Sequence, residues 1–265
     1  PCCSAGDVRP PPSERRRARR RGPRSAAAFR RRDRRALPAG GCGQDHPLPA
    51  EISHERVLQE FTFCLVNIRS LRRNLAELTV RLESLSPDVL ALTETWLDEA
   101  VEDIDVPGYR MVARRDRTDG RKGGGVALFC KREVRSVVHI HTSGDAERIW
   151  CLLHGDLGPV RIGVWYRAPN AAPAEISTLI DELSDTSSGV TGTILLGDMN
   201  IHHSSWLRFS SGCSAEGQAL RNICDDAGLL QKVREPTRNQ YLLDLVLTDL
   251  SDTLRVEVFP AITDH

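Results

Sequence analysis

Hydrophobic positions begin to repeat at Phe61, where FTFCLVNI is an apolar, β-prone run of strand length. Leu71, Leu75, Leu78, Leu82 and Leu85 then recur at helical spacing, so a strand followed by an amphipathic helix is predicted. A second buried strand is expected over DVLALT (88–93), and a loop through Pro107, Gly108 and Tyr109 leads to a third, short one. Gly123-Gly124-Gly125 opens VALFCK, and RSVVHIH, RIWCLLH and VRIGVWY follow as further strands between charged or Gly/Pro turns. Residues 173–185 predict a helix with Pro173 in its first turn, TILLGDMN another buried strand, and 215–228 a helix closed by Gly228. LLDLVLT and LRVEVF supply the last expected strands. The order β-α-β, a meander of strands, then α-β-α-β-β indicates an α/β fold of two packed mixed β-sheets with helices outside.

No such period runs through residues 1–57, which are rich in Arg, Pro, Gly and Ala and are read as a disordered segment, leaving 58–265 as the globular domain. A basic tail of this kind suits nucleic-acid binding or a nuclear address, and equally suits GC-rich flanking sequence translated without a selected role. The formal charge of zero hides this division: residues 1–50 hold 13 Arg and 4 acids, a net +9, which leaves −9 beyond. Any nucleic acid must therefore meet the domain through a local basic surface or bridging cations. Eight cysteines with no CxxC and no His pair at zinc spacing indicate neither a metal knuckle nor a disulfide framework. With no apolar run of membrane-spanning length and no signal-peptide pattern, no membrane association is expected, and an intracellular protein is. The first residue is Pro1 rather than Met, which reads as a piece of a longer element.

Polar residues gather at the ends of the apolar runs: Asn67 after FTFCLV, Glu94 after VLALT, Tyr166 after RIGVW, Asp198 and Asn200 after TILLG, and Asp244 within LLDLVL. Asp264 and His265 close the chain. Strand ends are where an α/β scaffold holds backbone rigid and leaves side chains open to a ligand. Taken singly, Asp198 and Asn200 also fit a turn after a strand, Glu94 the first turn of a helix before WLDEA, and Tyr166 a strand aromatic. The glycines of GRKGGG (120–125) lack the GxxxxGK[ST] order and precede a strand, so they do not form a phosphate loop of that type. Arg114, Arg115, Arg117, Arg121 and Lys122 form a basic cluster in an acidic domain, suited to a phosphate backbone or to a solvated loop.

NIRSL (67–71), LTETWL (92–97), GGGVALF (123–129), WYRAPN (165–170), GDMNIHHSSW (197–206), PTRNQYLLDLVLT (236–248) and TDH (263–265) resemble, in order, the motif series of the endonuclease/exonuclease/phosphatase superfamily. The variants are similar to those of non-LTR (LINE-type) retrotransposon endonucleases, relatives of apurinic endonuclease, exonuclease III and DNase I. The resemblance implies a four-layered α/β sandwich, truncated here at the Asp-His motif, that nicks duplex DNA with Mg²⁺ (Mn²⁺ substituting) and leaves a 3′ hydroxyl for target-primed insertion. It implies metal ligands in Asn67, Glu94 and Asp264, a water-orienting base in Asp198 with Asn200 beside it, and a phosphate-donating hydroxyl in Tyr166. His265, held by Asp244, would donate to a non-bridging oxygen. Extended chain over Asp198 and Asn200 would put both on one side. His202 and His203 suit either a DNA contact or a surface turn. A reverse transcriptase encoded downstream is the implied partner, and the nucleus the implied place of action. Two other readings stay open: a phosphoesterase of the same fold acting on a small phosphorylated or lipid substrate, and an inactive truncated fragment.

Overall fold

The computed structural model describes residues 61–101, 103–140, 144–155, 158–185, 189–250 and 254–262. The Arg-rich segment 1–57, Asp264 and His265 lie outside them. Two sheets are present. The first has four strands, β1 (Phe63–Asn67), β2 (Val89–Thr93), β3 (Tyr109–Arg115) and β4 (Val126–Lys131), in the order β1-β2-β4-β3. The second has six, β5 (Val137–Ile140), β6 (Arg148–Gly155), β7 (Gly158–Tyr166), β8 (Gly192–Asp198), β9 (Leu230–Gln231) and β10 (Asp244–Thr248), in the order β5-β6-β7-β8-β10-β9. Pairs β1/β2 and β7/β8 are parallel and the others antiparallel, so both sheets are mixed. Helices α1 (Leu71–Leu85), α2 (Ala174–Asp185) and α3 (Ala215–Ala227) complete the described elements, none long and apolar enough to cross a membrane.

Period-two alternation divides the apolar residues of a central strand between two cores. Leu90 and Leu92 of β2, with Ala127 and Phe129 of β4, pack against Leu71, Leu78 and Leu82 of α1. Their neighbours Val89, Ala91, Val126, Leu128 and Cys130 face the opposite way, into the core shared with β6, β7 and β8. Every residue of β2 is buried for this reason. Ile176 and Leu179 of α2 and Leu220 and Ile223 of α3 cover the outer face of the second sheet. The layers therefore run helix, sheet, sheet, helices, as expected. Ser214 caps α3 by accepting from the Gly217 amide at 3.0 Å, and Gly228 ends it in the left-handed region at φ 70°.

The expected strand LRVEVF is not one. Residues 254–259 have no hydrogen-bonded neighbour strand among the described residues, yet their burial alternates, with Leu254, Val256 and Val258 packed against the core. Alternation specifies which face is covered, whereas a ladder also needs a partner edge. The two-residue β9 carries too little pattern to be read from sequence.

Helix α2 is fastened to the second sheet by a buried ion pair. Fully buried Arg148 of β6 donates through Nε to Glu182 Oε2 at 2.6 Å and through Nη2 to Oε1 at 2.8 Å, while Trp150 Nε1 donates to Oε2. The Arg148 guanidinium also stacks 4.6 Å from the Trp165 ring. Removing one partner strands the other charge in the core, so Glu182→Ala is expected to cost about 3–5 kcal/mol. Urea unfolding checks this, and a loss below about 1 kcal/mol would show that Arg148 finds solvent or another acceptor.

Candidate active site

The ends of β1 and β8 meet where the two sheets converge. Asn67 Nδ2 donates to Asp198 Oδ2 at 2.7 Å, a bond between residues 131 apart in the chain. In register, Asp198 lies between Tyr166 of β7 and Asp244 of β10, so a phenol and two carboxylates form one row across three strands. The Asp198 side chain is fully buried. Burial pushes its carboxyl up, against the opposing pull of Arg238 and of the Asn67 amide.

Sequence reasoning did not single out Arg238, though it stands inside the PTRNQYLLDLVLT motif. Its Nη2 donates to Asp198 Oδ2 at 2.6 Å and its Nη1 to Asn200 Oδ1 at 3.4 Å. The expectation that extended chain aligns Asp198 with Asn200 is corrected here. Strand β8 ends at Asp198 and Asn200 turns into the left-handed region at φ 46°, a conformation that Asn tolerates well. Asn200 Nδ2 donates to the Arg167 carbonyl at 2.9 Å, and the two side chains meet through Arg238 instead.

Glu94 follows β2 in a left-handed kink, with φ 56° at Glu94 and 54° at Trp96, rather than in the first turn of a helix. Non-Gly residues there cost about 1–3 kcal/mol each, so the surroundings must hold them. The Trp96 amide donates to the Gly124 carbonyl at 2.9 Å and the Glu94 carbonyl accepts from the Ser70 amide at 2.8 Å. Gly124 N donates to Glu94 Oε2 at 2.9 Å, and Trp96 Nε1 donates to the same oxygen. Gly125 N donates to Glu147 Oε2, whose other oxygen accepts from Arg117 Nε at 2.7 Å. Gly124 and Gly125 sit at φ 76° and 85°, and a Cβ on Gly124 would strike Glu147 and Arg117. The glycine run is thus a carboxylate holder made of main-chain amides. Glu147 gave no sequence signal, standing among the charged residues of the turn before RIWCLLH.

Tyr166 connects these parts. Burial, then a hydrogen bond with Glu94, push its hydroxyl up, and the Arg117 guanidinium lies 5.7 Å from its ring centroid. Asp244 sits at the other end of the row. Thr237 Oγ1, also missed from sequence, accepts from the amides of Leu243 at 3.1 Å and Asp244 at 3.0 Å. Burial first, then the Asp198 charge, push the Asp244 carboxyl up to about 7.

The basic cluster is mostly engaged by its own chain. Arg114 pairs with Asp116 at 3.3 Å, Arg115 donates to the Gly144 carbonyl, Arg117 pairs with Glu147, and Arg121 pairs with Asp119 and reaches Asn170 Oδ1 at 3.3 Å. Lys122 is exposed. Of the two histidines, His203 is buried with Nε2 3.1 Å from Gln218 Oε1, tying the loop after β8 to α3. His202 stands edge-on to Tyr241 at 5.4 Å.

Among the described residues no three His, Cys, Asp or Glu side chains converge as a metal centre. The donor chemistry nevertheless fits a hard cation: Asn67 Oδ1 and Asp198 Oδ1 are buried oxygens with no hydrogen-bond partner, beside the carboxylate of Glu94.

A raised carboxyl contributes stability below its unfolded pKa of about 3.9, and that contribution is lost as pH rises through its folded value, about 7 for Asp244. Asp244→Asn keeps the side chain neutral, so its melting temperature relative to the parent chain is expected to rise from pH 5 to pH 8 in EDTA. A difference that stays flat across this range would place the titration elsewhere.

Residues 64–250 match the model of the Endonuclease/Exonuclease/phosphatase family. No curated protein matches the sequence. Among solved structures, the endonuclease domain of TRAS1, a telomere-specific non-LTR retrotransposon, is 15% identical over 71% of this chain and 83% of that one, with a TM-score of 0.56. The AP endonuclease LMAP from Leishmania major is 17% identical over 71% and 78%, also at 0.56. An AP endonuclease from Archaeoglobus fulgidus is 16% identical over 73% and 88%, at 0.55. These likenesses share the two-sheet sandwich, and with the family model covering most of the chain they identify it: this protein belongs to the Endonuclease/Exonuclease/phosphatase family.

Proposed function

We propose that the chain is a Mg²⁺-dependent phosphodiesterase that nicks duplex DNA and leaves a 3′ hydroxyl, as the opening step of non-LTR retrotransposon insertion. The observation that carries this reading is the buried Asp198, in register between Tyr166 and Asp244 and bonded across the sheets to Asn67. The likeness to a retrotransposon endonuclease domain and to two AP endonucleases supports DNA as substrate.

Phosphodiester hydrolysis needs an aligned water, a group to take its proton, and donors for the charge that develops on phosphorus oxygens. Asp198 fits the proton acceptor, because a carboxyl raised by burial moves toward the range where a general base works near neutral pH. Asn67 and Arg238 hold its Oδ2 and leave Oδ1 unpartnered. Tyr166 keeps its proton at neutral pH and would donate a hydrogen bond to a non-bridging oxygen in exchange for the one it shares with Glu94. Asn67 and Glu94 would hold the cation, with Asp264 at its edge. When bound, Mg²⁺ supplies charge neutralisation at the phosphate. Asp244 orients His265 in this scheme.

Purified chain with Mg²⁺ is expected to convert supercoiled plasmid to open circles, with loss of activity in excess EDTA. Nicking that persists in EDTA would refute the metal dependence, and release of phosphate from a small phosphoester without nicking would favour a different substrate.

Asp198→Ala is expected to lower the nicking rate by about 10² to 10⁴. Asp225→Ala is the control: Asp225 is exposed on the outer side of α3, pairs among the described residues with Arg221 at i, i+4, and should nick as the parent does. A folded Asp198→Ala protein within about threefold of the parent rate would overturn the assignment.

A further inference from the structure

The acidic residues of the site pose a difficulty for any phosphodiester that enters it. Glu94, Glu147, Asp198 and Asp244 make the site acidic, and the arginines expected to attract a phosphate are already engaged: Arg114, Arg117 and Arg121 are each paired with a carboxylate. Arg238 differs in position and in how it is held. It sits in the turn before β10 with its guanidinium on Asp198, the middle of the row, its side chain is 22% exposed, and its second contact, to Asn200 Oδ1, is long at 3.4 Å. The backbone beneath it is fixed. Arg238 N donates to the Tyr241 carbonyl at 3.0 Å, Tyr241 N donates back to the Arg238 carbonyl at 2.8 Å, and Thr237 N donates to the Tyr241 carbonyl at 2.9 Å. Thr237 Oγ1 then ties this turn to β10 through the Leu243 and Asp244 amides. A rigid turn therefore presents a long, partly exposed side chain whose planar fork of five N–H donors matches phosphate geometry.

Resting on the DNA reading above, we infer that Arg238 is a phosphate-binding residue stored on Asp198: its guanidinium occupies Asp198 Oδ2 until a DNA phosphate replaces the carboxylate as its partner. The exchange does two things at once. It places a bidentate cation on the incoming phosphate, and it takes the cation off the carboxylate that is to accept a proton from water, leaving Oδ2 to the Asn67 amide. No net charge is created, because one anion replaces another on the same guanidinium. A role limited to neutralising buried carboxylates would instead make Arg238 matter for stability and leave DNA affinity alone.

The test measures binding of a fluorescein-labelled DNA duplex to the full chain by anisotropy in EDTA, across a salt series, so that neither catalysis nor metal enters. Arg238→Ala is expected to weaken binding about tenfold and to lower the slope of log K against log salt by about 1. Arg238→Lys should keep the slope while losing part of the affinity. Asp198→Ala should tighten binding in the parent by more than it does in Arg238→Ala, because only the parent has a stored guanidinium to release. Far-UV circular dichroism checks that each variant folds, and the lysine variant decides the matter if the alanine variant does not. Unchanged affinity and slope in folded Arg238 variants, with normal parental binding, would overturn the proposal alone. So would an equal gain from Asp198→Ala in both backgrounds, which would report generic charge removal. No DNA binding by the parent would overturn the DNA reading and this proposal together.

Discussion

A carboxylate buried where two sheets meet must be satisfied by its neighbours, and the arrangement of this site follows from how Asp198 is satisfied. Leaving such a group without partners costs several kcal/mol. Asn67, from the other sheet, and Arg238, from the turn before β10, both donate to one oxygen of Asp198. Asn67 comes from a strand with no ladder to β8, and Arg238 from the turn that leads into β10, the strand paired with β8. The hydrogen bond from Asn67 fixes the end of β1 against the end of β8, and the ion pair fixes the 237–241 turn over the same point. Packing between the sheets brings these ends near, and the polar contacts then set their spacing. A hydrophobic residue at 198 would remove the need for either donor and with it the reason for the strand ends to converge in this way.

The second carboxylate, Glu94, is held by a different device. The chain leaves β2 through two left-handed residues, an unfavourable path that the Gly124 and Gly125 loop stabilises by pairing with the kinked backbone and donating amides to Glu94 and Glu147. Amide donors point in fixed directions and carry no net charge, so they can hold a carboxylate without neutralising it. Arg117 completes the holder from behind, pairing with Glu147 and lying over Tyr166. The glycine run thus acts on protein carboxylates, although its composition suggested phosphate before its order excluded that reading.

Much of this was legible in the sequence, and the limits have physical causes. The strands and helices that carry the fold were readable because each buries a face with its own period, as the split of Leu90 and Leu92 from Val89 and Ala91 shows. LRVEVF alternates correctly in burial and still forms no ladder among the described residues, because pairing depends on an edge that the segment's own sequence does not describe. At the site, Asn67, Glu94, Tyr166, Asp198 and Asn200 were found from strand ends and motif order. Their bonding was not: Asn200 reaches its neighbours through a left-handed turn rather than by alternation. Arg238 and Glu147 escaped notice because a charged residue in a turn reads as solvated surface, and only three-dimensional contact shows that Arg238 meets the buried Asp198 and that Glu147 meets Arg117 and the Gly125 amide. Of the arginine cluster's acidic partners, Asp116 and Asp119 stand beside it in sequence, whereas Glu147 lies far from it and is brought to Arg117 only by the fold.

Counting charges across the site shows why its carboxylates are not equivalent. Each of the two arginines is taken by one acid, Arg117 by Glu147 and Arg238 by Asp198, which leaves Glu94 and Asp244 without an ion pair among the described residues. The two solve the same problem in opposite ways. Asp244 has few donors and a like charge beside it in register, so protonation is its way of staying buried, and its pKa rises to about 7. Glu94 is surrounded by neutral donors, the Gly124 amide, the Trp96 indole and the Tyr166 hydroxyl, which hold its oxygens by hydrogen bonds rather than by an ion pair. The sandwich therefore separates its acids by environment: Glu94 among neutral donors on one side of Asp198, and Asp244, raised by burial and a like charge, on the other.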